Sequence, residues 1–375
     1  MNEPIMQFIG IDLHTNRFTC SYRDENTPAD AKKGKRTETF ELTARGLDAF
    51  YRTLTPNTYV LVEATITTFS FVRLIKPYVK EVIVANTYEL KQISLARNNT
   101  DKIDANILSR MLKMQILGKE QAVSPVVVPP VEIQELRGLF TTYRLYKKQT
   151  TQIKNRIHSL VKEKLYGYTQ EEIFSQKSRR MIRELEVNTA MSFQINQLFD
   201  MLIFLEASLE SLENKIKEHA EPYMREIDIL TSMKGVGIFT AIAIIADIIQ
   251  VDRFKNSKAF TSYLRSAPSV SSSNTKTKMK GTNKKGRKLA STLLTQSLNH
   301  VLSSSSKLED WYERLTQNKK PGLVRTGLRR RVFAEIFQML KKGEYHYGRD
   351  ARIHEAKMLQ YKKFLEKRRN FAKSA

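Results

Sequence analysis

Between Phe8 and Leu117 short apolar runs alternate with helical periodicities, which commits the start of the chain to a layered α/β domain. Phe8-Ile9-Gly10-Ile11-Asp12-Leu13 reads as a buried strand closing on an acid. Phe18 to Tyr22 and Thr37 to Leu42 read as two more strands, with a lysine and glycine turn from Lys32 to Arg36 between them. Thr43 is positioned to cap a helix reaching about Leu54. Thr58-Tyr59-Val60-Leu61-Val62-Glu63 is a fourth strand, and it too ends on an acid. A helix from Thr67 to Ile75 stops near Pro77, Glu81 to Ala85 is a fifth strand, and Asp101 to Leu117 is a helix. The order β-β-β-α-β-α-β-α predicts a mixed sheet, antiparallel through the hairpins and parallel across the helical crossovers.

From Glu132 to Ala220 the chain reads as helical. Ile195, Leu198, Leu202, Leu205, Leu209, Leu212 and Ile216 follow alternating spacings of three and four, the pattern of a two-helix seam. Ile133, Leu136, Phe140 and Tyr143 begin a similar stripe, so the seam is either a hairpin within one chain or a contact that includes a second chain. An apolar run from Gly235 to Ala246 is too short to span a bilayer. From Arg253 to Leu308 there is no acid, and twelve residues are basic. The last segment, Lys341 to Ala375, is again basic and helical in pattern. The formal net charge of the 375 residues is +24, which points to a polyanionic partner, nucleic acid before an acidic membrane surface. Cys20 is the one cysteine, which excludes a disulfide framework and cysteine-based zinc sites. With no secretory signal at Met1 to Gln7, a soluble cytoplasmic protein is expected.

Four acids stand out by position. Asp12 and Glu63 close strands, and Asp101 and Asp104 share one face at the start of a helix. If the first and fourth strands are neighbours and the last helix packs beside their ends, four carboxylates converge. Such a cluster repels itself unless hard cations neutralise it, Mg2+ being the usual one near phosphates. Two ions there suit phosphodiester cleavage, and Mn2+ is the expected substitute. His14 lies close to Asp12 in sequence but reads first as a polar residue at a strand end. Lys234-Gly235-Val236-Gly237 before an apolar helix reads as a helix-hairpin-helix-like turn able to hold a phosphate, or as an ordinary tight turn. The run Pro268 to Asn274 followed by Lys276, Lys278, Lys280, Lys284, Lys285, Arg287 and Lys288 offers serine hydroxyls among cations. By composition it reads as a polar loop; by chemistry it could hold a nucleophile.

Taken together these segments resemble the transposases of the IS110 family of bacterial insertion sequences, the IS1111 group included. Gly10-Ile11-Asp12-Leu13, Val62-Glu63-Ala64 and Thr100-Asp101-Lys102-Ile103-Asp104-Ala105 are similar to the motifs of its RuvC-like, RNase H-fold DEDD domain. Met233-Lys234-Gly235-Val236-Gly237, Thr240-Ala241, Arg253-Phe254, Phe260, Pro268 and Lys284-Lys285-Gly286 are similar to its second transposase domain. The resemblance covers about residues 6–300. It implies an α/β plus all-α architecture: a RuvC-like mixed-sheet catalytic domain over 1–125, a helical coiled-coil region over 126–225, a mainly helical C-terminal domain with the glycine turn and serine loop over 226–340, and a basic helical tail over 341–375. It implies Asp12, Glu63, Asp101 and Asp104 as metal ligands. The attacking serine, counted from Pro268, would be Ser273, with Ser272 and Ser271 next. The family's Gln-Ser-Gly context is Ser272-Ser273-Asn274 here, and the Gly-Leu expected before the proline is Arg265-Ser266. These departures raise an inactive copy as an alternative. The resemblance further implies donor and target DNA, a structured guide RNA from the element, and a homo-oligomer, dimer or tetramer, with no membrane. Two other readings stay open: a RuvC-like metal-dependent endonuclease with no covalent step, and a nucleic-acid-binding protein with a vestigial acid cluster. A serine needs a base, and the acid cluster is the candidate the sequence offers.

Overall fold

A computed structural model describes residues 5–28, 31, 33–87, 100–118, 122–163, 172–183, 189–273, 276–283, 285–303 and 305–374; within these, the side chains of 172, 176, 181, 183, 189, 269–273, 276–280, 307 and 372–374 are not described. The chain divides into two compact units, Met1–Pro129 and Pro130–Ala375.

The first unit contains strands β1 (Gln7–Leu13), β2 (Arg17–Asp24), β3 (Arg36–Glu41), β4 (Thr58–Glu63) and β5 (Glu81–Ala85), and helices α1 (Ala44–Tyr51), α2 (Thr68–Ile75) and α3 (Asp101–Gly118). The sheet order is β3-β2-β1-β4-β5. β2 runs antiparallel to β1 and β3, whereas β4 runs parallel to β1 and β5. The element order and mixed pairing agree with the sequence reading. Thr43 caps α1, its hydroxyl accepting from Gly46 N at 3.2 Å.

Both faces of the sheet are covered, which is why β1 and β4 read as near-continuous apolar runs. Ile9, Ile11, Leu13, Val60 and Val62 pack with Phe50, Phe71 and Val72 of α1 and α2. Phe8, Tyr59 and Leu61 pack with Leu108, Met111 and Leu112 of α3. The two-residue period of a strand then assigns Gly10 and Asp12 of β1, and Glu63 of β4, to the face that α3 covers.

The second unit begins with a long helical hairpin, α4 (Val131–Glu163) and α6 (Thr189–His219), with α5 (Gln176–Arg183) between them in sequence. The two long helices run antiparallel: Tyr143 Oη donates to Glu213 Oε1 at 3.0 Å, and Arg156 Nη2 to Gln194 Oε1 at 3.5 Å. Ile195, Leu202, Leu205, Leu209 and Ile216 are buried within this one chain, and Leu198 and Leu212 are half-buried. The seven-residue stripe is therefore filled by the intramolecular arrangement. The two-chain seam is not needed to bury it, because α4 presents its own apolar stripe at matching spacing.

Helices α7 (Met224–Thr231), α8 (Ile238–Ile248), α9 (Ser257–Tyr263), α10 (Leu289–Leu302), α11 (Ser306–Thr316), α12 (Pro321–Lys342) and α13 (Ala351–Ser374), with the hairpin β6 (Pro268–Ser273) and β7 (Lys276–Thr282), make up the rest. The apolar run noted in the sequence is α8, buried from Ala241 to Ile248, as befits a helix apolar all round. Among the described residues no helix is long and apolar enough to cross a membrane.

Candidate active site

Gly10 explains how α3 comes to lie over the acid-bearing end of β1. A Cβ at Gly10 would sit 2.2 Å from Ser109 N and 2.3 Å from Ala105 O, so only a glycine lets helix backbone and strand backbone approach this closely. Side-chain bonds fasten the same contact. Ser21 Oγ and Gly34 N donate to Asn106 Oδ1 at 2.8 and 2.6 Å, and buried Arg23 donates through Nε to Ser109 Oγ at 3.0 Å. Thr100 starts α3, accepting at its carbonyl from Asp104 N at 3.0 Å. The first turn thus carries Asp101 and Asp104, where the positive end of the helix favours acids.

The structure brings Asp12 and Asp101 together around His14. His14 Nε2 lies 3.2 Å from Asp12 Oδ2 and 3.3 Å from Asp101 Oδ1, and Arg17 Nη2 donates to Asp101 Oδ2 at 3.0 Å. One ligand atom each from Asp12, His14 and Asp101 lie within 4.8 Å of one another, a group able to hold a metal ion. Burial pushes the Asp12 carboxyl above its ordinary value; His14 opposes this, and the charges of Asp101, Asp104 and Glu63 add to it. Burial also raises Asp104, with Asp101 reinforcing the shift. At Asp101 burial is outweighed by His14 and Arg17, so its carboxyl is lowered. Asp101, Asp104 and Glu63 therefore all act electrostatically on Asp12. His14 and Arg17 belong to the same cluster, and the sequence signal for them is the short turn, Leu13 to Asn16, that follows the strand-ending acid. A cavity of about 730 Å³ lined by His14, Asn16, Arg17, Thr65, Ile66 and Thr67 opens beside this end of the sheet. The turn after Glu63 is pinned by Thr68, whose hydroxyl donates to Glu63 O at 2.6 Å.

The basic candidates lie in the second unit. Gly235 has φ 87°, and a Cβ there would meet Val301 N at 2.7 Å, so this glycine serves a left-handed turn packed on α10. Gly237 stands in open space at the start of α8, and Lys234 beside the turn is exposed. The serine run is not a loop. Its backbone pairs as a hairpin with Ser273 opposite Lys276, Ser271 opposite Lys278 and Ser269 opposite Lys280. The side chains of Ser271, Ser272, Ser273, Lys276, Lys278 and Lys280, and all of Lys284, lie outside the described residues. Gly286 has φ 93° with Tyr263 O 2.2 Å from a would-be Cβ, which fixes the Lys285-Gly286-Arg287-Lys288 turn against α9. Arg287 Nε donates to Asp247 Oδ1 at 3.0 Å, and Ala290 N donates to Asp247 Oδ2 at 2.8 Å. Asp247 is fully buried and so caps α10 while holding Arg287; sequence reading passed over it because it sits at the end of an apolar run.

Residues 227–313, which span the glycine turn, α8, α9, the hairpin and α10, match the model of the transposase IS116/IS110/IS902 family. The chain thus carries a segment similar to the transposases of this family. It is also similar to a transposase for insertion sequence element IS1111A of Coxiella burnetii (strain RSA 493 / Nine Mile phase I), 23% identical over 258 residues. That match takes in 65% of this chain and 63% of the relative, so the chain spans somewhat less than two thirds of the relative's length.

Proposed function

We propose that this chain is the DNA transposase, or site-specific recombinase, of an insertion sequence, cutting strands at an acidic site formed by Asp12, Glu63, Asp101 and Asp104. The observation that carries the reading is the closeness of Asp12 and Asp101 around His14 on the sheet face that also carries Glu63. The sheet order β3-β2-β1-β4-β5, three strands antiparallel and then two parallel, supports an RNase H-like, RuvC-like domain. The donors fit a hard divalent cation, because they are carboxylate oxygens, two of them raised by burial with neighbouring acids adding to the shift. When bound, Mg2+ or Mn2+, as one ion or two, would stabilise phosphoryl charge and acidify an attacking hydroxyl or water. Asp12, Glu63, Asp101 and Asp104 would hold it. Arg17 keeps Asp101 ionised and oriented, and His14 bridges the two aspartates.

Ser273 is the proposed nucleophile for covalent attachment to DNA, with Ser272 and Ser271 behind it. Lys234, Gly235, Gly237, Lys276, Lys278, Lys280, Lys284, Lys285, Arg287 and Lys288 are the proposed nucleic-acid contacts. A structured guide RNA and a homo-oligomer complete the proposal and rest on the family resemblance.

Asp12→Asn, Glu63→Gln and Asp104→Asn should each lower Mg2+-dependent strand cleavage by about two orders of magnitude or more, with nucleic-acid binding retained. Ser273→Ala should abolish protein–DNA adducts. Metal-dependent nicking without any adduct would make the chain an endonuclease instead, and cleavage surviving loss of two acids would remove the acidic site from the mechanism.

A further inference from the structure

In the second unit, the turn after α9, the end of β7 and helices α10 and α12 enclose a cavity of about 570 Å³. Arg265, Lys288 and Arg329 line it together with the hydroxyl-bearing Ser291, Thr292 and Thr295, and among the described residues no carboxylate does. Arg329 is held by neutral oxygens: Nε donates to Ser266 Oγ at 3.0 Å, Nη1 to Thr295 Oγ1 at 2.9 Å and Nη2 to Arg265 O at 3.3 Å. Its position is fixed and, among the described residues, no carboxylate pairs with it; a partly buried cation without a counter-ion is a cost that a bound anion removes. Burial acts in the same sense, pushing the Arg329 pKa down. Arg265 adopts φ 52°, a left-handed conformation that side-chain-bearing residues rarely take. Its Nε donates to Gly286 O at 2.7 Å, so the strained turn aligns a second guanidinium at the cavity. The α10 terminus adds little, because Ala290 N is already given to Asp247.

We propose that this cavity holds a backbone phosphate of the nucleic acid on which the chain acts. The proposal rests on the transposase reading above. A polyanion suits the surroundings better than a single ion: Thr282, which lines the cavity, ends β7, the strand whose sequence includes Lys276, Lys278 and Lys280. Guanidinium forks supply the geometry for phosphate oxygens.

The test measures binding of the full chain to a labelled DNA duplex across a range of salt concentrations. Arg329→Gln removes the fixed charge. Thr292→Glu leaves Arg329 and its bonds in place and sets a carboxylate at the rim of the cavity on a half-exposed helical position. Each should weaken binding about tenfold or more and lower the slope of log affinity against log salt by about one. Arg329→Lys should keep the slope. Unchanged affinity and slope in both Arg329→Gln and Thr292→Glu would overturn the proposal while leaving the transposase reading intact. Absence of any DNA binding by the wild-type chain would sink both. Inorganic phosphate provides the other arm: if it raises the melting temperature of the wild type but not of Thr292→Glu, and both bind DNA equally, the cavity takes free phosphate and the proposal is wrong.

Discussion

At Gly10 a single hydrogen separates strand β1 from the backbone of α3, and the acid cluster depends on that separation. Gly10→Ala should cost about 1–3 kcal/mol through overpacking, or more if helix backbone cannot shift, and should weaken cation binding because Asp101 and Asp104 ride on the displaced helix. Urea unfolding alongside a cation titration would check both; an unperturbed variant would mean that the helix tolerates a Cβ here. The carboxylates make a second prediction. Asp12 and Asp104 are raised, so each binds its proton more tightly in the folded state. Their contribution favours the fold below the ordinary carboxylate pKa and is lost as pH rises through the raised value. Asp101 is lowered and behaves oppositely, its contribution being lost as pH falls through the lowered value. In the absence of cation, Asp12→Asn should therefore stabilise the chain more at pH 7 than at pH 4. Equal stability changes at the two pH values would contradict the crowding. With cation, affinity should rise with pH, since protons compete for the same oxygens.

The hairpin of α4 and α6 shows how a repeat can be read correctly and still leave its partner open. The spacing from Ile195 to Ile216 specifies a seam, but spacing is the same whether the facing helix is in the same chain or another. The structure supplies α4, with Ile157 and Leu160 buried beside Leu202 and Leu205. Leu202→Lys combined with Leu209→Lys should thus cost several kcal/mol of folding stability, since both side chains are buried in one chain. Calorimetry showing an unchanged melting temperature would be incompatible with this packing. Strands β1 to β5 were legible because β-branched and aromatic runs between turn residues have few alternatives. The β6–β7 hairpin was not, because serine and lysine at alternating positions carry no apolar signal for a two-residue period. Asp12, Glu63, Asp101 and Asp104 were legible from their places at element ends. His14 and Arg17 were not, because a turn residue gains a role only when the turn's direction is known. Asp247 and Arg329 depend on partners 40 and 34 to 64 residues away in sequence, which periodicity does not report.

Across the whole molecule the net charge of +24 means that binding of DNA or RNA should fall steeply with salt, the slope counting the phosphates neutralised. Charge alone would not distinguish nucleic acids, so a structured RNA from the element should compete better than DNA of equal length if a guide is used. Equal competition by any polyanion would withdraw support from the guide RNA. Metal binding at the acidic site comes down to a handful of oxygens. Isothermal titration of the full chain with Mg2+, repeated with Mn2+, tests it without needing the target sequence or the guide. The wild type should bind one or two ions, and Asp12→Asn and Glu63→Gln should each reduce or abolish that binding while the chain stays folded. Titrations indistinguishable between the wild type and both variants would contradict the assignment of Asp12 and Glu63 as ligands, and with it the acidic site as the place where DNA is cut.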